Sequence, residues 1–230
     1  MNNKMKTITL MLLMSLQTYG VEKLILTPPQ TEGPFYPGRD LMRTRNSVLN
    51  HKGLAYGELI KISGEVVDEN NRPISEAEVH LWQTDGFMGR YINDQTDLPL
   101  DENFNYFGSQ KVNFIGEFSF ISVRPIEYKA DENWTRPQHL HFKILWRNKE
   151  ILTTQTYFEG DPWIEKDLIL NRLTPEQRAS VIVKYVPGDI VICRPFFDQD
   201  CDRGKNHRVI RKPGEIGHLK FVINSDLLIR

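Results

Sequence analysis

The chain has 230 residues, 29 lysines and arginines against 30 aspartates and glutamates, and a formal charge of -1. That length can bury a sizeable core in one domain or two small ones. With no basic excess, the charge gives no support for a nucleic-acid or acidic-membrane partner.

Residues 1–20 stand apart from the rest. Lys4 and Lys6 precede an apolar run over 7–16 that is too short to span a bilayer, and Thr18 and Gly20 are small residues ahead of a cut after Gly20. This is the layout of a secretory signal peptide. The expectation is an exported protein, periplasmic or secreted, with 1–20 outside the fold; an uncleaved anchor or a fortuitous apolar start is the alternative. Export would put Cys193 and Cys201 in an oxidising compartment, where they could pair. The loop so closed would contribute about 2–3 kcal/mol, and two unrelated thiols are the other reading.

Residues 21–58 read as an extended arm, punctuated by Pro28-Pro29, Gly33-Pro34 and Pro37-Gly38. Its stretch Thr31-Glu32-Gly33-Pro34-Phe35-Tyr36-Pro37 is too aromatic for a solvated loop and is expected to pack against something. The domain proper is taken as 59–230. Residues 59–67 alternate as a strand, 68–73 are turn chemistry, and 77–83 form the next strand. From Thr84 to about Val112 the chain is irregular but aromatic (Phe87, Tyr91, Phe104, Tyr106, Phe107), which predicts an ordered, functional segment. Strands follow at 116–121, in the stretch 139–146, and at 150–158, the last two forming a hairpin with Asn148-Lys149 at its tip.

Helical signal is confined to Thr174-Pro175-Glu176-Gln177, an N-cap threonine with proline at the first helical position and glutamine three residues after the cap. Gly188 is expected to close that unit. Strands at 189–193 and 218–223 complete a mainly β fold. It is predicted to be an antiparallel or mixed β-sandwich with long loops and one or two short helices.

The sharpest local feature is Arg136-Pro137-Gln138-His139-Leu140-His141-Phe142. In a strand, residues i and i+2 share a face, so His139 and His141 point the same way, about 7 Å apart along the chain. Two imidazoles so placed can converge on one metal ion, or they can simply belong to a half-exposed strand. A cupin-like site would want an acid four or five residues after the second histidine, where Leu145 and Trp146 stand, and no zinc-type spacing of His or Cys is present. Tyr91 and Tyr128 offer phenol oxygens, hard donors that suit a hard trivalent ion.

Taken together, these stretches resemble the intradiol ring-cleavage dioxygenases, closest to the protocatechuate 3,4-dioxygenase branch. The likeness runs in order over roughly 28–165. It comprises the Thr31–Pro37 motif, Ile62-Ser63-Gly64-Glu65-Val66 through Val79-His80-Leu81-Trp82-Gln83, and Gly89-Arg90-Tyr91. It continues with Leu98–Phe104, Trp134–Phe142 and Thr154–Asp161. His80 stands where many relatives have an acid, the interval from Tyr128 to His139 is about two residues shorter than in the protocatechuate enzymes, and the chain after Asp161 diverges.

The resemblance implies a non-haem Fe(III) held by Tyr91, Tyr128, His139 and His141, with Tyr128 also able to take a substrate proton. It places the family's active-site arginine at Arg136 and a supporting glutamine at Gln155. The implied reaction is intradiol cleavage of a catechol-type aromatic by O2 to a muconate-type diacid. Partners would be a small aromatic diol and O2, with no nucleic acid, no membrane after signal removal, and a homo-oligomer compatible with the pattern. Two other readings stay open: an exported β-sandwich binding or structural module with an impaired site, and a His-x-His zinc or copper site.

Overall fold

The computed structural model describes residues 23–38, 48–49, 54–194 and 208–228. Residues 1–20, expected to be a signal peptide, and the Cys193 and Cys201 side chains lie outside the described parts. Eleven strands are described: β1 (Leu59–Asp68), β2 (Ala77–Trp82), β3 (Phe107–Lys111), β4 (Glu117–Val123), β5 (Tyr128–Lys129), β6 (Thr135–Arg136), β7 (His139–Trp146), β8 (Lys149–Phe158), β9 (Ile182–Val183), β10 (Tyr185–Arg194) and β11 (Arg208–Ile223). They form a four-stranded sheet in the order β10-β11-β1-β4, a five-stranded sheet in the order β3-β2-β7-β8-β9, and a small β5-β6 ribbon. The fold is a β-sandwich. Pairing is mostly antiparallel, but β1 runs parallel to β11 and β8 parallel to β9.

Period-2 alternation places the core. In β1, Ile60, Ile62 and Val66 are fully buried, while Lys61, Ser63 and Glu65 between them are only half-buried. Phe118 of β4 stacks on Phe221 of β11 at 5.6 Å, and Phe142 of β7 meets Phe221 at 5.0 Å, so these rings join the two sheets. Gly64 makes room for that join, because a Cβ there would lie 2.7 Å from the Phe118 ring and 2.6 Å from the Leu219 carbonyl oxygen.

The outer face of the five-stranded sheet is covered by the arm. Gln30 N donates to the Thr153 carbonyl at 2.9 Å, and the Gln30 amide donates to the Gln155 carbonyl at 2.7 Å. Further along, Lys143 pairs with Glu32 and Glu150 and sits 3.8 Å over the Tyr36 ring, while Tyr36 Oη and His80 Nδ1 are 2.8 Å apart. The aromatic arm motif thus packs on β2 and β7. For that reason the His-x-His strand is buried on both faces rather than half-exposed.

Three local expectations need correction. Residues 107–111 of the segment expected to be irregular form β3, paired with β2. The hairpin tip is Arg147-Asn148, with φ of 50° and 64°, the signature of a type I′ turn, and Lys149 already belongs to β8. Gly188 closes no helix; it lies inside β10 opposite Gly214. The helix α1 (Pro175–Val181) carries the expected capping box, with Thr174 Oγ1 accepting from Gln177 N at 3.3 Å and Gln177 Oε1 accepting from Thr174 N at 3.0 Å. It stops at Val181 because Ile182 and Val183 join the sheet beside Tyr157 and Phe158.

Candidate active site

At the end of β7 under the arm, His139 and His141 share the outer face, as strand periodicity requires. The His139 and His141 Nε2 atoms are 3.1 Å apart, and the Tyr91 hydroxyl lies 3.2 Å from the first and 3.0 Å from the second. All three side chains are at most 2% exposed. The Pro137 carbonyl can only accept, so His139 Nδ1, 2.6 Å away, carries the proton and its Nε2 presents a lone pair. His141 is held differently. Its Nδ1 has no hydrogen-bond partner, and the ring is clamped by stacking on Trp82 at 4.9 Å and 20°.

Tyr91 comes from the loop after β2, and one carboxylate organises that loop. Asp85, fully buried, accepts from the backbone N–H of Phe87, Met88 and Gly89 at 3.1, 2.7 and 2.9 Å through Oδ1, and from the Tyr106 hydroxyl at 2.9 Å through Oδ2. Gly89 closes this turn at φ 69°, where a side chain would be strained. Asp94 then accepts from Tyr91 N at 2.9 Å and pairs with Arg90 at 2.7 Å, and the Tyr91 ring stacks on Phe35 of the arm at 4.4 Å. Asp85→Ala would leave three N–H groups without their charged acceptor. The expected cost is about 4 kcal/mol or more, since hydrogen bonds to charged groups contribute about 1.5–3 kcal/mol each and the Tyr106 hydroxyl loses its acceptor as well. Urea unfolding measures it, and a change below about 0.5 kcal/mol would show that the loop holds without Asp85.

Tyr128 and Arg136 face each other as register partners in the β5-β6 ribbon. The Tyr128 ring is 5.6 Å from Tyr91 and 5.8 Å from His139. Arg136, 3% exposed, donates through Nε to Asp167 Oδ2 at 2.7 Å and through Nη2 to Gln155 Oε1 at 2.6 Å. Gln155 is itself fixed by donating to the Thr31 carbonyl at 2.8 Å. Asp167, fully buried, also accepts from Ile169 N and Leu170 N at 3.1 and 2.7 Å.

Burial dominates the electrostatics. It pushes the Tyr91 phenol well above its ordinary value, with Tyr128 adding to the shift and Arg136 opposing it. Tyr128 is raised by burial too, against the pull of Arg136. Burial, reinforced by the Arg136 charge, holds both imidazoles well below their ordinary value. For Arg136, burial works against the charge, but Tyr157, Asp167 and Tyr128 outweigh it and the guanidinium is raised. Neutral imidazoles with converging Nε2 atoms beside protonated phenols are the metal-free form of a donor set. Among the described residues no three His, Cys, Asp or Glu side chains converge, and the Tyr91 hydroxyl is the further oxygen donor within 3.2 Å of both imidazoles.

A cavity of about 690 Å³ is lined by Tyr91, Tyr128, Arg136 and His141 of this cluster and by Pro34 and Phe35 of the arm. A family model described as a dioxygenase matches residues 31–187, which includes every one of these side chains. The chain belongs to the intradiol ring-cleavage dioxygenase family.

Among relatives, the protocatechuate 3,4-dioxygenase beta chain of Burkholderia cepacia is 37% identical over 147 residues, covering 62% of this chain and 61% of that protein. The chlorocatechol 1,2-dioxygenase of Cupriavidus pinatubonensis is 28% identical over 158 residues, covering 60% of this chain and 57% of that one. This chain therefore spans about three-fifths of the length of these curated relatives. In fold it is similar to the crystal structure of 3-chlorocatechol 1,2-dioxygenase from Rhodococcus opacus, with a TM-score of 0.61, 21% identity, and coverage of 86% of this chain and 72% of that one.

The intradiol fold brings all six residues singled out in the sequence, Tyr91, Tyr128, Arg136, His139, His141 and Gln155, into one cluster. Asp167, Asp85 and Trp82 were not anticipated. Asp85 had a local signal, the run of backbone N–H groups that follows it into Gly89. Asp167 had none, since its partner lies 31 residues earlier.

Proposed function

We propose that this chain is an intradiol dioxygenase that cleaves a catechol-type diol with O2 to a muconate-type diacid. The convergence of Tyr91 Oη, His139 Nε2 and His141 Nε2 within 3.2 Å, with Tyr91 and His141 lining a cavity, carries this reading. Two neutral imidazoles and two phenols fit non-haem Fe(III), which the family uses: deprotonated phenols are hard anionic donors that favour the trivalent state. When bound, the iron would supply Lewis acidity toward the diol oxygens and make the ring susceptible to O2.

The remaining work falls to the chain. Tyr128 is less buried than Tyr91 and borders the cavity, so once deprotonated as a metal donor it would be the phenolate suited to take a hydroxyl proton of the diol on its Oη. Arg136 supports the negative charge that develops on the ring, with Asp167 and Gln155 fixing its fork in advance of the reaction. Pro34, Phe35 and Trp134 line the cavity and would shield one side of the ring from water. Both atoms of O2 enter the product, so no external reductant is required.

The test is oxygen uptake by iron-loaded protein with a panel of catechols, followed by product identification. Expected is a muconate-type diacid, from cleavage between the two hydroxyl-bearing carbons. A yellow semialdehyde would place cleavage beside them and overturn the assignment. No oxygen uptake from fully loaded protein would favour a binding module.

A further inference from the structure

The reaction proposed above needs room for one diol ring, and the cavity is larger than that. At about 690 Å³ it lies within the range of about 300–1,000 Å³ that accommodates drug-sized molecules. Outward from Tyr128 and Arg136 its wall is formed by Trp134, Ile169, Met88 and Leu98. Met88 and Leu98 are 37% and 47% exposed, so the apolar wall runs out to the protein surface. Next to them in the chain, Phe87 and Leu100 are 39% and 38% exposed, and Phe87 stacks on Tyr56 at 4.8 Å. Exposed apolar side chains continuous with a pocket are a feature of ligand-binding grooves.

The charges in the wall point the same way. Arg136 is committed to Asp167 and Arg90 to Asp94, each at 2.7 Å. Lys129 and Glu127 also line the cavity, but both are exposed and their charges oppose each other. Lys129 has no ion pair among the described residues but is exposed. A carboxylate carried on the ring to the buried end of the cavity therefore meets there only Arg136 and Arg90, each already paired with an acid, and burying an unpaired charge is strongly unfavourable. An apolar substituent along Met88, Leu98 and Ile169 is instead stabilised by losing its contact with water.

We propose that the diol bound here carries a large, uncharged, apolar substituent, and that Leu98 and Met88 determine this preference. The inference rests on the intradiol reading, and the test separates the two. Iron-loaded protein is assayed by oxygen uptake with catechol, 4-methylcatechol, 4-phenylcatechol and protocatechuate, and the same four are titrated anaerobically by tryptophan fluorescence. Burial of a phenyl group predicts kcat/KM for 4-phenylcatechol about tenfold or more above catechol, with protocatechuate below both. Leu98→Asp should lower the ratio of 4-phenylcatechol to catechol about tenfold, in binding as in turnover. A preference for protocatechuate that Lys129→Ala abolishes would overturn the inference, as would equal values for catechol and 4-phenylcatechol. If none of the four is cleaved, the intradiol reading fails. The order of the anaerobic affinities then still decides whether the cavity selects apolar diols.

Discussion

Arg136→Met is expected to destabilise the protein by about 3–5 kcal/mol, because it leaves the fully buried Asp167 carboxylate without its cation. Loss of activity in that variant would therefore not reveal the role of the guanidinium. The double variant Arg136→Met/Asp167→Asn removes both charges, and the asparagine Oδ1 can still accept from Ile169 N and Leu170 N. It should recover most of the lost stability in urea unfolding. Turnover should nonetheless stay about 10²–10³ below wild type, the usual loss for one preorganised donor to developing charge. If the double variant regains both stability and turnover, Arg136 only braces the β5-β6 ribbon against the chain at Asp167, and its proposed chemical role is wrong.

Tyr91→Phe is expected to have the other large effect. The ring keeps its stack on Phe35 and the buried hydroxyl disappears, so stability should change by about 1 kcal/mol or less. Metal retention should not survive so well. Changes to residues behind a metal's ligands cost about 10–100-fold in affinity, and removal of a donor oxygen should cost at least about 100-fold. Iron content after dialysis against a weak chelator and the phenolate absorption in the visible report the two consequences together. Full iron occupancy with an unchanged visible band would exclude Tyr91 as a donor.

Much of this molecule is encoded within a few residues of each feature. Alternation in Leu59–Asp68 orients Ile60, Ile62 and Val66 inward whatever the rest of the chain does, because successive side chains of a strand point to opposite faces. The same rule puts His139 and His141 side by side, and the capping box of α1 needs only Thr174 and Gln177. The order of motifs from Thr31 to Asp161 was enough to suggest the family and, through it, the six clustered residues.

Other features depend on groups far apart in the chain. The pairing of Arg136 with Asp167 and the parallel docking of β11 on β1 join segments that no local period connects. The arm looks like a tether in the sequence. In the fold it covers the outer face of β2 and β7, burying the histidine strand on both sides and supplying the cavity wall at Pro34 and Phe35. The long loop after β2 reads as irregular because its order comes from one carboxylate, Asp85, gathering N–H groups that show no hydrophobic period. Periodicity and caps are short-range effects and survive as patterns in a sequence. Burial, ion pairing and the size of a cavity arise when distant segments close on one another, and they become visible only in the folded chain.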